Sequence, residues 1–154
     1  MMSKEDEISV EIFRADTTSS TPIPVSGSSV KAGFPSPAQD YITDSIDLNR
    51  DVIRNKESTF FARVSGDSMQ DAGIFDGDLA VVDKSLEPNT GDYVVAYIDG
   101  GFTIKEFRMD ESGQFGWLIP HNKEFKPIRV SAADDFMVWG VVTHVMHSLR
   151  RKNK

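Results

Sequence analysis

The stretch VSGDSMQDAGI, residues 64–74, decides how this chain is interpreted. Apolar and aromatic residues precede it and predict a β-strand, and Gly66 permits a sharp bend because glycine has no Cβ. A strand that ends at such a bend can deliver Ser68 as a nucleophile at the mouth of a short helical turn. The N–H groups that open this turn could then stabilise an oxyanion. Local sequence alone favours a simpler interpretation, in which Ser68 is only the N-cap of the turn.

A lysine further along the chain favours the chemical interpretation. Lys105 lies in GFTIKEF, residues 101–107, where two-residue alternation predicts a strand with Thr103, Lys105 and Phe107 on one face. We expect one face of this strand to belong to the core. Burial disfavours the ammonium form of a lysine, and a neutral lysine can take the hydroxyl proton of a serine. The two residues therefore form a candidate nucleophile and general base.

These two stretches carry a resemblance to a known family. Residues 65–69 and 102–105 resemble the serine–lysine self-cleaving family that includes LexA, phage repressors and UmuD, and the match to UmuD is closer. The resemblance covers about residues 32–148. It implies a mainly β fold, a LexA- and signal-peptidase-like autopeptidase domain of antiparallel strands with one or two short helices. Further runs that fall in family order are residues 33–41, 46–49, 77–79, 81–83 and 139–145.

The resemblance also implies the roles of individual residues. Ser68 would be the nucleophile, Lys105 the general base, and the backbone amides of Asp67 and Ser68 the oxyanion donors. Ala32 and Gly33 join a polar, proline-containing arm to the body of the chain. Without the resemblance this small pair indicates an ordinary hinge, and with it the pair looks like the scissile bond. We therefore expect a flexible, cleavable arm at residues 1–32 and a β-rich serine–lysine peptidase domain at residues 33–154.

The remaining patterns predict a chain of short strands. Residues 8–14 alternate in polarity and predict one strand inside the arm. Ser36 and Pro37 predict the N-cap and first residue of a helix that ends near Asp47–Asn49. Asp99-Gly100-Gly101 predicts a tight hairpin turn. Many short strands separated by turns indicate an antiparallel barrel or folded sheet rather than a βαβ fold. Strands of the body are predicted at about residues 59–64, 78–83, 92–98, 102–108, 115–119, 127–130 and 136–146.

Composition narrows the class of protein. A length of 154 residues with 39% hydrophobic side chains predicts one domain with its own core. The net charge of −7 argues against affinity through phosphate contacts, so we expect no direct sequence-specific DNA binding. There is no signal peptide and no apolar run of ~18 residues, which predicts a cytoplasmic protein without a membrane partner.

The sequence predicts neither a metal nor another cofactor. The absence of cysteine excludes disulfides and thiolate metal sites. Acidic residues near Ser68 lack the spacing of a calcium-binding loop, and the three histidines lack the spacing of metal ligands. No glycine-rich nucleotide motif occurs. The acidic residues concerned are Asp67, Asp71, Asp76 and Asp78.

The resemblance implies partners as well as chemistry. It implies self-cleavage stimulated by the RecA–single-stranded-DNA filament after DNA damage, and a trimmed product that joins a UmuC-type translesion polymerase. It also implies a homodimer. A second observation agrees with this: the run at 136–142 is apolar on both faces, so it is either a central strand or packs on a partner.

Three other functions remain as alternatives. In a non-catalytic dimeric adaptor the serine–lysine pair would be vestigial. A repressor-type C-terminal domain is disfavoured because about 32 residues are too few for a DNA-reading domain. A signal peptidase is disfavoured because no membrane anchor is found.

Overall fold

The computed structural model describes residues 9–18, 22–26 and 42–150. The chain divides into two compact units, one that combines residues 1–15 with 57–154 and one that comprises residues 16–56. Almost every regular element is a β-strand, which confirms the predicted mainly β fold class. In chain order the strands are β1 (Ser9–Arg14), β2 (Pro22–Ser26), β3 (Ile42–Asp47), β4 (Thr59–Ser65), β5 (Leu79–Asp83), β6 (Tyr93–Ile98), β7 (Gly101–Met109), β8 (Phe115–Ile119), β9 (Ile128–Ser131) and β10 (Phe136–Met146).

The larger unit contains one sheet of eight strands in the order β1-β4-β5-β10-β6-β7-β8-β9. Each neighbouring pair is antiparallel. The seven strands predicted for the body all occur, with ends within one residue of the expected positions. β10 lies between β5 and β6, so a central place in the sheet accounts for most of the apolar run at 136–142, while Met137 stays 52% exposed. The strand predicted at residues 8–14 is also confirmed, and it pairs with β4.

Apolar side chains cover both faces of the middle of this sheet. In β6, Val95 packs in one core cluster with Met69 and Ile104, while Val94 and Ala96 pack in a second cluster. The uninterrupted apolar sequence of β6 is what such two-sided burial requires. All residues from 103 to 107 of β7 are consequently buried, where the sequence predicted only one core face. Lys105 therefore lies inside the packed part of the sheet.

The β6–β7 connection follows the turn chemistry predicted from its sequence. Ile98 pairs with Gly101, so Asp99 and Gly100 form a two-residue hairpin loop. Both have positive φ, 49° for Asp99 and 84° for Gly100, which a short-side-chain residue and a glycine adopt most readily. This loop sets the register that carries Lys105 opposite Val94.

The smaller unit corrects one prediction. The helix expected to run to Asp47–Asn49 is wrong over residues 42–47, because these form β3, antiparallel to β2. The β-branched residues of this run favour extended backbone over helix. A single helical turn, α1 (Leu48–Asp51), begins only after it, capped by the Asp47 side chain, which accepts the Asn49 N–H at 3.0 Å. The earlier part of the predicted helix, Ser36 to Tyr41, lies outside the described residues.

Candidate active site

Ser68 lies in the connection between β4 and β5, here called the Ser68 turn (residues 66–78). Gly66 has φ 98°, and its N–H donates to Asp76 Oδ1 at 2.9 Å. The chain then forms a short 3-10 helix at Gln70–Ala72, which ends at Gly73 with φ 79°. Both glycines hold a left-handed conformation that other residues rarely adopt. The bend predicted from the sequence is therefore present, and it lifts Ser68 out of the β4 direction.

A buried aspartate closes the base of this turn. Val64 N–H donates to Asp78 O at 2.9 Å, and Gly77 N–H donates to Val64 O at 2.8 Å. Asp78 is 2% exposed, and its Oδ2 accepts the Phe75 N–H at 2.8 Å. His147 Nδ1 lies 2.5 Å from its other oxygen. The two backbone bonds of Val64 therefore join the ends of the turn, and the Asp78 carboxylate, which needs partners because it is buried, joins Phe75 of the turn to His147.

The two residues singled out from the sequence meet inside the protein. Ser68 Oγ lies 3.0 Å from Lys105 Nζ, and the two residues are 0% and 1% exposed. Lys105 Nζ is also 2.8 Å from Thr103 Oγ1 and 3.2 Å from Ile104 O. The strand alternation that puts Thr103 and Lys105 on one face was predicted, whereas the contact between them was not. Burial in this position works against the charged form of the amine.

Ser68 does not act as a helix cap. The residue at the N-cap position of the Gln70–Ala72 turn is Met69, and no side chain caps that turn. The Ser68 hydroxyl is bonded to Lys105 instead. The capping interpretation, which local sequence favours, is therefore wrong, because the partner that captures the hydroxyl comes from a distant strand.

The segment that follows β8 holds the Ser68 turn from the side. His121 N–H donates to Ser68 O at 2.8 Å, and His121 O accepts the Asp71 N–H at 2.8 Å. The next residue, Asn122, donates from Nδ2 to Asp67 O at 3.0 Å. The sequence does not predict this role for His121 and Asn122. No local pattern marks them, because their partners lie about 50 positions earlier in the chain.

Both predicted oxyanion amides are open. Within the part of the chain that the structure describes, the N–H groups of Asp67 and Ser68 donate to no acceptor. Asp67 O accepts hydrogen bonds from Asn122 and from Gln70 N–H at 3.2 Å. Since no peptide bond here is cis, the Ser68 N–H points away from those two donors. The Ser68 N–H is therefore available to an acceptor on the side opposite the Asp67 carbonyl.

The side chain of His121 lies against β6 and β7. Glu106 accepts from Arg108 Nε at 2.6 Å and lies 3.3 Å from His121 Nε2. The ring of Tyr93 contacts that of His121, with centroids 5.6 Å apart. Lys105 and Glu106 are adjacent in β7, so the strand that carries the amine also lies beside the segment that holds Ser68.

The described residues contain neither a cluster of metal ligands nor a membrane-spanning helix. No group of three or more histidine, aspartate or glutamate side chains there is arranged to hold a metal ion. No helix in the same residues is long and apolar enough to cross a membrane. Ala32 and Gly33, the predicted scissile pair, lie outside the described residues.

Comparison with known proteins gives a consistent group of relatives. The family model described as Peptidase S24-like matches residues 24–143. Protein ImpA of Salmonella typhimurium is 41% identical over 129 residues, which cover 78% of this chain and 80% of ImpA. Protein MucA of Escherichia coli is 39% identical over 137 residues, covering 88% of this chain and 92% of MucA.

A repressor is similar to this chain over about half of the repressor's length. The LexA repressor of Corynebacterium jeikeium is 40% identical over 129 residues, covering 84% of this chain and 46% of the repressor. The family match includes Ser68, Lys105 and the 121–122 segment. The chain belongs to the peptidase S24-like family.

Proposed function

We propose that this protein is a UmuD-like serine peptidase that cleaves its own chain between Ala32 and Gly33, with Ser68 as nucleophile and Lys105 as general base. The observation that carries the proposal is the 3.0 Å hydrogen bond between two buried side chains, Ser68 Oγ and Lys105 Nζ. Membership of a peptidase family supports the activity independently of that distance.

The contacts of Lys105 suit a neutral amine that accepts a proton from the serine. A neutral amine has two N–H groups and one lone pair. Thr103 Oγ1 and Ile104 O can accept the two N–H groups, which leaves the lone pair for the Ser68 hydroxyl hydrogen. Thr103 and the Ile104 carbonyl therefore orient the base rather than take part in bond making.

The reaction can be written with all protons accounted for. Ser68 Oγ attacks the carbonyl carbon of Ala32 while its proton passes to Lys105 Nζ. The developing oxyanion is stabilised by the amides of Asp67 and Ser68. Lys105 then gives its proton to the nitrogen of Gly33, which leaves as a free amino terminus. Water, deprotonated by Lys105, hydrolyses the ester between Ala32 and Ser68 and restores both side chains.

The biological setting is proposed from the family resemblance and the ImpA, MucA and LexA repressor relatives. The RecA–single-stranded-DNA filament stimulates cleavage in the cytoplasm after DNA damage. The product, residues 33–154, acts as a subunit of a UmuC-type error-prone translesion polymerase. The protein works as a homodimer, a proposal that rests on the resemblance because β10 is already central in the sheet. Sedimentation of the full chain as a clean monomer at micromolar concentration would contradict it.

The test combines purified protein with an activated RecA filament and identifies the products by mass spectrometry. We expect a fragment that begins at Gly33, and none from Gly33→Glu, because a bulky charged residue keeps the extended peptide from lying flat in the site. Gly27→Glu is the matched control, since it makes the same change in the arm away from the bond. Cleavage of Gly33→Glu at the wild-type rate contradicts the requirement for a small residue at this bond, and a wild-type fragment that begins at another residue contradicts the assignment of the bond. An intact chain under all conditions favours the non-catalytic adaptor.

A further inference from the structure

Asn122 stands out as a buried polar side chain whose bonds all go to the backbone. It is 8% exposed, and its Nδ2 donates to Asp67 O at 3.0 Å. Its Oδ1 accepts the Glu124 N–H at 3.0 Å. Because a backbone N–H must meet the oxygen, the second bond fixes which end of the amide faces Asp67. Asn122 therefore presents a donor to Asp67 and cannot turn round without losing both bonds.

The acceptor of that bond belongs to the peptide group that matters for catalysis. The carbonyl of Asp67 and the N–H of Ser68 are the two ends of one planar, trans peptide unit. A donor that holds the oxygen on one side aims the hydrogen to the opposite side. The bond also withdraws electron density through the amide, so the Ser68 N–H becomes a stronger donor. Asn122 thus helps to set both the direction and the strength of an amide that it does not touch, beside the Gln70 N–H, which donates to the same carbonyl at 3.2 Å.

The neighbouring peptide unit is held in the same way but by backbone alone. His121 N–H donates to Ser68 O at 2.8 Å, which fixes the plane between Ser68 and Met69. The Ser68–Lys105 contact is made by a different set of atoms, on β7. Oxyanion geometry and proton transfer are therefore supported by separate parts of the chain. A change at Asn122 can disturb the first and leave the second in place.

We propose that Asn122 is a positioning residue that holds the Asp67–Ser68 peptide plane so that the Ser68 N–H faces the oxyanion of the self-cleavage reaction. This rests on the proposed function, since it assigns Asn122 a part in the Ser68–Lys105 reaction. It acts through the backbone amide and never contacts the reacting atoms. Its effect is confined to the stage at which negative charge develops on the oxygen.

The test measures unassisted self-cleavage of the full chain as a function of pH. Asn122→Ala removes the donor without adding charge, and Asn122→Asp keeps the shape but turns an acceptor toward Asp67 O. Loss of a direct oxyanion donor slows other enzymes by about 10²–10³-fold, so loss of its positioning residue should lower the rate at the alkaline plateau by at least about tenfold. The pH midpoint of Asn122→Ala should stay at the wild-type value, because it reports on Lys105.

Asn89 supplies the matched control, since it is an exposed turn residue whose backbone N–H, not its side chain, bonds to Asp92. Asn89→Ala and Asn89→Asp should cleave at the wild-type rate. An Asn122→Ala plateau within twofold of wild type overturns the inference. A lowered plateau with a shifted midpoint overturns it as well, because Asn122 would then act on the Ser68–Lys105 pair. Failure of the wild type itself to cleave at any pH counts against the proposed function instead.

Discussion

Two turns of the large sheet differ in where their hydrogen bonds come from. The β7–β8 turn (residues 110–114) closes on itself: Gly113 N–H donates to Asp110 O at 2.9 Å, and Ser112 donates to the Asp110 carboxylate through N–H and Oγ. The Ser68 turn has local bonds too, but residues 121 and 122 hold its serine-bearing part from outside. A self-contained turn only reverses the chain. An externally held turn can keep a side chain in a defined place inside the protein.

The aspartates of the two turns should differ in how much their carboxylates contribute to stability, and removing each carboxylate tests this. Asp78→Ala deletes a buried acceptor for Phe75 N–H and leaves His147 without its partner, so we expect a loss of about 2–4 kcal/mol in the free energy of unfolding. Urea denaturation followed by circular dichroism measures it. Asp78→Asn, which preserves the shape, should lose less and serves if the alanine variant does not fold.

Asp110→Ala is the matched control for this pair, because Asp110 lies in the self-contained turn. Its urea midpoint should stay close to that of wild type. Equal losses at Asp78 and Asp110 would show that the origin of the bonds makes no difference to stability.

Lengthening each turn tests the same contrast through catalysis. Two residues, glycine and serine, inserted after Gly113 add little loop-closure entropy, roughly 0.6 kcal/mol or less, and should leave the self-cleavage rate within about twofold. The same insertion after Gly73 changes the path of the Ser68 turn and should disturb the hydrogen bond from the Asp71 N–H to His121 O. There we expect the rate to fall by at least about tenfold, as misplaced catalytic groups usually cause. Mass spectrometry of timed samples gives both rates. A wild-type rate for the Gly73 insertion would contradict the claim that residues 121 and 122 hold the Ser68 turn in place.

The smallest expected effect is a titration within the β7–β8 turn. The hydrogen bond from Ser112 Oγ, followed by that from Ser112 N–H, lowers the pKa of Asp110 below its ordinary value. Because the folded-state pKa is the lower one, the stabilisation is present above the unfolded-state pKa and is lost as pH falls through the folded-state value.

Ser112→Ala removes the largest cause, so the pKa of Asp110 should rise toward 3.8. Carboxyl NMR measures the titration. Asp16, whose pKa is lowered by its bonds to Thr18, should not move in the same variant. An unchanged Asp110 titration would mean that the local bonds do not govern this turn.

Sequence predicts well what neighbours in the chain decide. The Asp99–Gly100 hairpin, the bend at Gly66 and the strands of the body follow from turn chemistry and from alternation of polarity. The helix expected up to Asp47–Asn49 failed for the opposite reason. Residues 42–47 pair with β2, and cross-strand pairing overrides the helical pattern that Ser36 and Pro37 suggest.

The site was predicted only in part, for the same physical reason. Ser68 and Lys105 were predicted because the glycine bend before the serine, the lysine within an apolar strand and the resemblance to the serine–lysine family all indicate the same pair. Asn122 was missed, because an asparagine after a strand ordinarily indicates a turn. Its function depends on which carbonyl lies opposite it once the sheet has formed. Thr103 was predicted in part: two-residue alternation places it on the same face of β7 as Lys105, but it does not predict the hydrogen bond between their side chains.

The measurement that tests the central claim most directly is the pH dependence of self-cleavage in the wild type and in Lys105→Arg. The amine of Lys105 can take the serine proton only when it is neutral, so the wild-type rate without an activator should rise between about pH 7 and 10 and level off as Lys105 becomes neutral. A guanidinium does not give up its proton, so Lys105→Arg should yield no fragment that begins at Gly33 anywhere in this range. Cleavage by Lys105→Arg near the wild-type rate at about pH 9 would contradict the serine–lysine mechanism.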